Sequence, residues 1–194
     1  VDITSERVAI RSVNIADAAK MLVHSDRVLV IGCSGGGKST LSQKLGRRFA
    51  LDYISIDRDV LWLPGWIQRD KEDQLARTRR LIAGNRWVMD GTNTSTFDIR
   101  VPRSDLVIWV RMPRYLNVWG ILSRWARHRG ETRPEMAVGC PEKVDWEFFR
   151  FVWTWEAVFA PRVIAALQQT AGDKPVLVLT SRRQTRELLD LVGA

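Results

Sequence analysis

Cysteine is scarce in this chain: Cys33 and Cys140 are the only two, and the first lies inside a glycine-rich loop. That excludes a disulfide framework and points to a reducing compartment, expected to be the cytoplasm. Histidine is equally sparse, with His24 and His128 alone. Neither stands at a spacing from cysteine that suits a zinc site. Long apolar runs are missing too. No stretch approaches the roughly 20 residues of a membrane span. The opening Val1-Asp2-Ile3-Thr4-Ser5-Glu6 lacks the basic end and apolar core of a secretory signal. No helix-turn-helix, zinc-finger spacing or aromatic-basic RNA signature stands out.

What is present is ordinary globular content with an excess of positive charge. The 194 residues are 45% hydrophobic, and 30 Lys+Arg against 22 Asp+Glu leave a net charge of +8. A chain of this length is expected to form one domain with a proper core. Its arginine-rich balance suits phosphate-bearing partners, nucleotide or nucleic acid, and equally a generally basic surface.

The most informative stretch is Gly32-Cys33-Ser34-Gly35-Gly36-Gly37-Lys38-Ser39-Thr40. It follows the apolar run Val28-Leu29-Val30-Ile31 and precedes Leu41, Leu45 and Phe49 at helical spacing. Gly32, Gly37, Lys38 and Ser39 meet the phosphate-loop pattern, whose glycines let main-chain N–H groups approach an anion. The following helix turns its unpaired N–H groups and positive dipole end to the same point. Lys38 is then placed for the β- and γ-phosphates, Ser39 for Mg²⁺ and Thr40 for the α-phosphate.

Ahead of this loop, residues 1–26 are expected to be an extension, with Asn14 capping a short helix, and residues 27–194 the main domain. Beyond it, Tyr53-Ile54-Ser55-Ile56 predicts a second strand ending in Asp57-Arg58-Asp59. Carboxylates at that end of a strand sit where an α/β sheet places ligands, either near Mg²⁺ or near an acceptor hydroxyl. They are equally suited to capping a turn. The aromatic stretch from Trp62 to Trp66 is open to two readings, a substrate wall or buried packing. Asp70 begins a helix through Leu81 or Ile82 with Gln74, Arg77 and Arg80 outward. Arg86-Trp87-Val88-Met89 predicts a third strand ending at Asp90, a carboxylate in the Walker B position. Ser39, Asp57 and Asp90 are therefore the magnesium-side candidates.

Arg100 either faces the acceptor or is a solvated charge. After the fourth strand, Leu106–Val110, a helix from about Arg114 is expected to turn Leu116, Trp119, Leu122 and Trp125 inward. It runs into a basic, glycine- and proline-broken segment at about residues 127–142. Arg124, Arg127 and Arg133 make this a candidate lid, because phosphoryl transfer needs spread negative charge neutralised away from water. A solvated basic face is the other reading, and His128 is expected to be unremarkable. From Val144 to Ala171 the pattern is helical with a broad apolar face, its tryptophans read as core. The fifth strand, Val176–Leu179, leads to Arg182, placed to stack on a base or to sit in a plain capping turn.

These elements together resemble the nucleoside-monophosphate-kinase branch of P-loop proteins. They are more similar still to the bacterial DNA topology modulation proteins, described as adenylate-kinase-related. The residues carrying this are the loop from Gly32 to Thr40; Asp57 with Leu61-Trp62-Leu63-Pro64-Gly65-Trp66; Trp87-Val88-Met89-Asp90-Gly91; and Arg111-Met112-Pro113-Arg114. To them are added Arg129-Gly130-Glu131-Thr132-Arg133-Pro134-Glu135-Met136 and Gly139-Cys140-Pro141-Glu142-Lys143. The resemblance spans about residues 27–190. It implies an α/β three-layer sandwich with a parallel five-stranded sheet of order 2-3-1-4-5, and ATP and Mg²⁺ as ligands. Asp57-Arg58-Asp59 is more similar to shikimate kinases, in which an Asp-x-Asp serves a hydroxylated acceptor and magnesium. Adenylate kinases carry an arginine after the second strand and a Pro-Arg after the Asp-Gly, whereas this chain has Thr92-Asn93. The expected activity is transfer of the γ-phosphoryl group of ATP to a small nucleotide or hydroxylated metabolite. That acceptor is expected to enter between Asp57, Asp59, the Trp62–Trp66 stretch and Arg100. Two other readings are a nucleic-acid-associated regulator using ATP as a switch, and an NTPase with water as acceptor.

Overall fold

The computed structural model describes residues 10–194. Successive elements are β1 (Ser12–Val13), α1 (Ile15–Val23), β2 (Arg27–Gly32), α2 (Lys38–Phe49) and β3 (Asp52–Ser55). A π-helical turn, Asp57–Leu61, then leads into a hairpin of β4 (Trp62–Leu63) and β5 (Ile67–Gln68). There follow α3 (Lys71–Ile82), β6 (Trp87–Asp90), α4 (Phe97–Arg100), β7 (Leu106–Val110), α5 (Arg114–Arg127), α6 (Trp146–Val158), α7 (Ala160–Thr170), β8 (Val176–Leu179) and α8 (Arg182–Val192).

Among the described residues the main sheet has six parallel strands in the order β1-β8-β7-β2-β6-β3. Five of them run in the expected order. The sixth, β1, extends the edge by pairing Ser12 with Val176 and Val13 with Leu177. A two-residue strand carries too little sequence to show a period, so the count of five falls short by one.

The sheet is buried on both faces, which is why its strands read as continuous apolar runs. Alternate residues serve opposite layers. Val28 and Val30 of β2 and Leu106, Ile108 and Val110 of β7 meet Leu22 of α1, Leu41 and Leu45 of α2, and Leu188 of α8. Leu29, Ile31, Val107 and Trp109 face the other way, onto Ile82, Ile121, Val152, Trp155, Val163 and Leu167.

Three expectations about facing are corrected. In α5, Asn117 and Ile121 are buried, whereas Trp119 is 68% exposed and Leu122 also points out. In α6, Trp155 enters the core and meets Trp109 edge-on at 6.5 Å, but Trp146 is 74% exposed. Trp146, Phe149 and Trp153 stack on one another outside it. One helix can bury only one stripe, and α6 has apolar residues for two. Gln74 of α3 turns inward, donating from Nε2 to Arg69 O at 2.7 Å and accepting from Asn93 Nδ2 at 3.0 Å.

Candidate active site

The loop between β2 and α2 is shaped as an anion cradle. Gly37 precedes α2 in the left-handed region with φ 97°, and no side chain caps the helix. Among the described residues the N–H groups of Gly35, Gly37, Lys38, Ser39 and Thr40 have no acceptor, whereas Gly36 N donates to Cys33 O and Leu41 N to Gly37 O. Helix N-termini leave such groups for an anion when nothing else takes them. Lys38 Nζ donates to Cys33 O at 2.9 Å, and Arg182 Nη2 reaches Gly35 O at 3.4 Å. Thr92 braces the loop from just beyond β6, its hydroxyl accepting from Gly32 N at 2.6 Å and donating to Gly32 O at 2.8 Å. The Cys33 side chain lies in the core beneath, where burial pushes its thiol up to about 12.

Beside the cradle stand the acids. Asp90, the last residue of β6, is buried and accepts from Tyr53 Oη at 3.0 Å. Burial raises its pKa, opposed by the neighbouring Ser39 hydroxyl, the Lys38 charge and the Tyr53 bond. Tyr53 in turn is pushed above its usual range by burial and by the Asp90 charge. The Ser39 hydroxyl and the Asp90 carboxylate are hard oxygen donors at one point, a set that suits Mg²⁺. No cluster of three protein ligands able to hold a metal by itself occurs among the described residues. A magnesium ion there would complete its shell from phosphate and water oxygens, as that ion ordinarily does.

Asp57 and Asp59 part company. Asp57 lines the cleft, while Asp59 accepts from Ser55 N at 2.9 Å and takes Arg58 Nε and Nη2 at 2.7 and 2.9 Å. In an extended loop residues two apart share a side, but in the helical turn that forms here they point in opposite directions.

The cleft encloses about 650 Å³ between the phosphate loop, the exposed rim of α5 and the segment after it. Arg124, Arg127, His128, Arg133 and Arg182 line it together with Lys38, Ser39, Thr40 and Asp57. Gly32, Cys33 and Gly36 lie behind that lining and shape the loop rather than face the cavity. Residues 128–143 fold over the carboxyl ends of the strands: Ser55 Oγ donates to Glu135 O at 2.9 Å and Gln43 Nε2 to Glu135 Oε1 at 2.6 Å.

Three other predicted substrate contacts are placed elsewhere. Trp62 and Trp66 meet edge-on at 5.4 Å and pack on Met136, Ala137 and Cys140. Trp66 Nε1 donates to Pro141 O at 3.2 Å and Gly65 N to Gly139 O at 2.9 Å. The hairpin therefore fastens the overlying segment instead of walling the cleft. Arg100 neither faces an acceptor nor meets solvent. It is wholly buried, donating to Gly91 O at 3.0 Å and Asn93 O at 2.7 Å, and burial draws its pKa down to about 9. Residues that sequence reasoning passed over are Tyr53, Thr92, Trp119 and Glu142. Tyr53 had a usable signal, its place on a strand leading to Asp57; Glu142 stood in a motif of the resemblance, with nothing in the spacing to show its pairing.

No protein-family model matches the chain, and no curated protein matches it in sequence. Among solved structures it is similar to shikimate kinase from Acinetobacter baumannii in complex with shikimate, at TM-score 0.51 and 14% identity over 90% of this chain and 94% of that one. Shikimate kinase from Bacteroides thetaiotaomicron aligns at TM-score 0.47 and 15% identity, over 88% of this chain and 99% of its own. Deoxyadenosine kinase from M. mycoides with bound dCTP aligns at TM-score 0.39 and 11% identity, over 86% and 98%. The first of these establishes the fold: a parallel sheet with helices on both sides, in the arrangement of P-loop kinases.

Proposed function

We propose that this chain is an ATP- and Mg²⁺-dependent kinase that transfers the γ-phosphoryl group to a small acceptor, a nucleotide or hydroxylated metabolite. The observation that carries the reading is the row of five unpartnered N–H groups at the start of α2, with Lys38 and Ser39 among them and Asp90 alongside. In this scheme Lys38 exchanges the Cys33 carbonyl for the β- and γ-phosphate oxygens. Arg124 and Arg133 neutralise the transferring group, and Asp57 orients the acceptor hydroxyl and takes its proton as the new O–P bond forms and the β–γ bridge breaks. Magnesium held by Ser39 and Asp90 would supply charge neutralisation on the phosphates. Trp119 and Arg182, which both line the cleft, would receive the base. Kinship with the DNA topology modulation proteins rests on the motif residues alone.

The test is ADP release across a panel of nucleosides, nucleotides and polyols. One acceptor should raise turnover many-fold, and Lys38→Ala should abolish it. Turnover indifferent to every acceptor would favour the NTPase. The regulator reading draws on the exposed ladder of Trp146, Phe149 and Trp153, with the Arg114 guanidinium 4.6 Å from the Trp153 ring. Salt-steep nucleic-acid binding that survives Lys38→Ala would support it.

A further inference from the structure

Glu142 is the one acidic side chain in the lid segment that is almost completely withdrawn from water, with 2% of its side chain exposed. A carboxylate taken out of water persists as an ion only when it is paired. Glu142 is paired twice: Oε1 accepts from Arg124 Nε at 2.7 Å and Oε2 from Arg133 Nε at 2.5 Å. Its main chain is fixed as well, since Glu142 N donates to Glu131 O at 2.8 Å. One carboxylate thus joins the last turn of α5 to the loop that follows it.

The choice of nitrogen matters. Each arginine spends its Nε on Glu142, and neither donates a hydrogen bond from its Nη atoms among the described residues. Arg133 Nη1 stands 3.7 Å from Glu135, beyond hydrogen-bond distance. Both guanidiniums line the cleft that holds Lys38. Without the carboxylate between them the two cations would repel: burial and, after it, the Arg133 charge already hold the Arg124 pKa below its usual range.

We infer that Glu142 is a positioning residue, setting Arg124 and Arg133 as a fixed two-guanidinium clamp on the γ-phosphoryl oxygens. This rests on the reading of the cleft as a nucleoside-triphosphate site. The Nη atoms, of which Arg133 Nη1 also lies within ion-pair range of Glu135, are the clamp's grip, and Glu142 never touches the nucleotide. A clamp of this kind distinguishes a triphosphate from a diphosphate, because the group it grips is missing from the latter.

The experiment is calorimetric titration of the full chain with Mg²⁺ and either ADP or a non-hydrolysable ATP analogue, for wild type, Glu142→Gln, Glu142→Asp and Arg124→Ala. Glu142→Gln keeps the size of the side chain but removes the charge. It should cost about tenfold or more in triphosphate affinity while ADP affinity stays within about twofold, in line with the strength of charge-assisted pairs. In the Arg124→Ala background the same change should add about twofold or less. Glu142→Asp retains the charge at shorter reach and should fall between, which keeps the test open if Glu142→Gln fails to fold. Equal losses for the two nucleotides would make Glu142 a plain structural strut, and no loss would remove its role; either result overturns the inference. A wild type that binds neither nucleotide overturns the kinase reading and this inference together, whereas a binding wild type with an unaltered triphosphate preference in the variants overturns the clamp alone.

Discussion

Gly120 of α5 and Gly35 of the phosphate loop meet main chain to main chain: a Cβ on Gly120 would stand 2.1 Å from the carbonyl oxygen of Gly35. Alanine in a helix interior ordinarily gains about 0.5–1 kcal/mol over glycine. Here the contacted atom is backbone and cannot swing aside, so overpacking of about 1–3 kcal/mol wins. Gly120→Ala should therefore lower stability in urea unfolding and weaken triphosphate binding by displacing the loop. A variant more stable than wild type would show that α5 is not seated on the loop as described.

Arg100 offers a second test. Its guanidinium holds the Gly91 and Asn93 carbonyls, and Thr92 between them grips Gly32, so the chain after β6 and the phosphate loop move as one. Hydrogen bonds from a charged donor contribute about 1.5–3 kcal/mol. Arg100→Met keeps most of the volume and removes that charge from the core, which recovers part of the loss. Thermal and urea unfolding should show a net cost of about 1–3 kcal/mol, with nucleotide affinity falling alongside. Unchanged stability would mean that the buried guanidinium costs as much to bury as its two carbonyl bonds return.

These two residues also mark what the sequence could and could not convey. The phosphate loop was legible because glycine at fixed offsets is a stereochemical demand, and the strands because burial on both faces writes an unbroken apolar run. Arg100 was not legible as a core residue, since arginine is almost never fully buried and nothing local announces two carbonyls waiting for it. Asp59 went astray because a five-residue π-helical turn is too short to leave a period. Trp119 and Trp146 did so because α5 and α6 carry more apolar side chains than one face can bury. The Glu142 contacts join residues 18 and 9 positions away along an irregular segment, a distance at which sequence spacing says nothing of geometry.

Alkaline pH supplies the third prediction. Burial lifts the Cys33 thiol from its ordinary 9.0 to about 12. Below pH 9 folded and unfolded chains both hold that proton, and the group makes no difference. From pH 9 to 12 the unfolded chain sheds it and the folded one does not, so stability falls by up to roughly 1.4 kcal/mol per pH unit. Tyr53, also raised, acts in the same sense. Urea midpoints measured between pH 8 and 11 should decline more gently in Cys33→Ala than in wild type, and native Cys33 should resist iodoacetamide at pH 8. Rapid alkylation of the folded chain would contradict the buried thiol.

The fourth concerns the charge of the acceptor. Several arginines that follow Asp57 along the chain are already engaged. Arg58 is bound to Asp59, to Pro134 O at 3.3 Å and to Tyr53 O at 3.4 Å. Arg69 and Arg77 both pair with Asp73, at 3.0 and 2.9 Å, and Arg100 is buried. Arg124 and Arg133, whose Nη atoms donate no hydrogen bond among the described residues, line the cleft with Lys38, the end proposed for phosphate. An anionic acceptor would have to break an existing pair to find a partner, whereas a neutral hydroxyl compound needs only Asp57 to accept its proton. Assays of ADP release should accordingly favour uncharged nucleosides or polyols over their phosphate monoesters by about tenfold or more, the scale on which an unpartnered charge is rejected. Asp59→Asn, which frees Arg58, should narrow that gap by improving the monoesters. If a nucleoside monophosphate proves the best acceptor for the wild type, the pairing of Arg58 with Asp59 does not govern the choice.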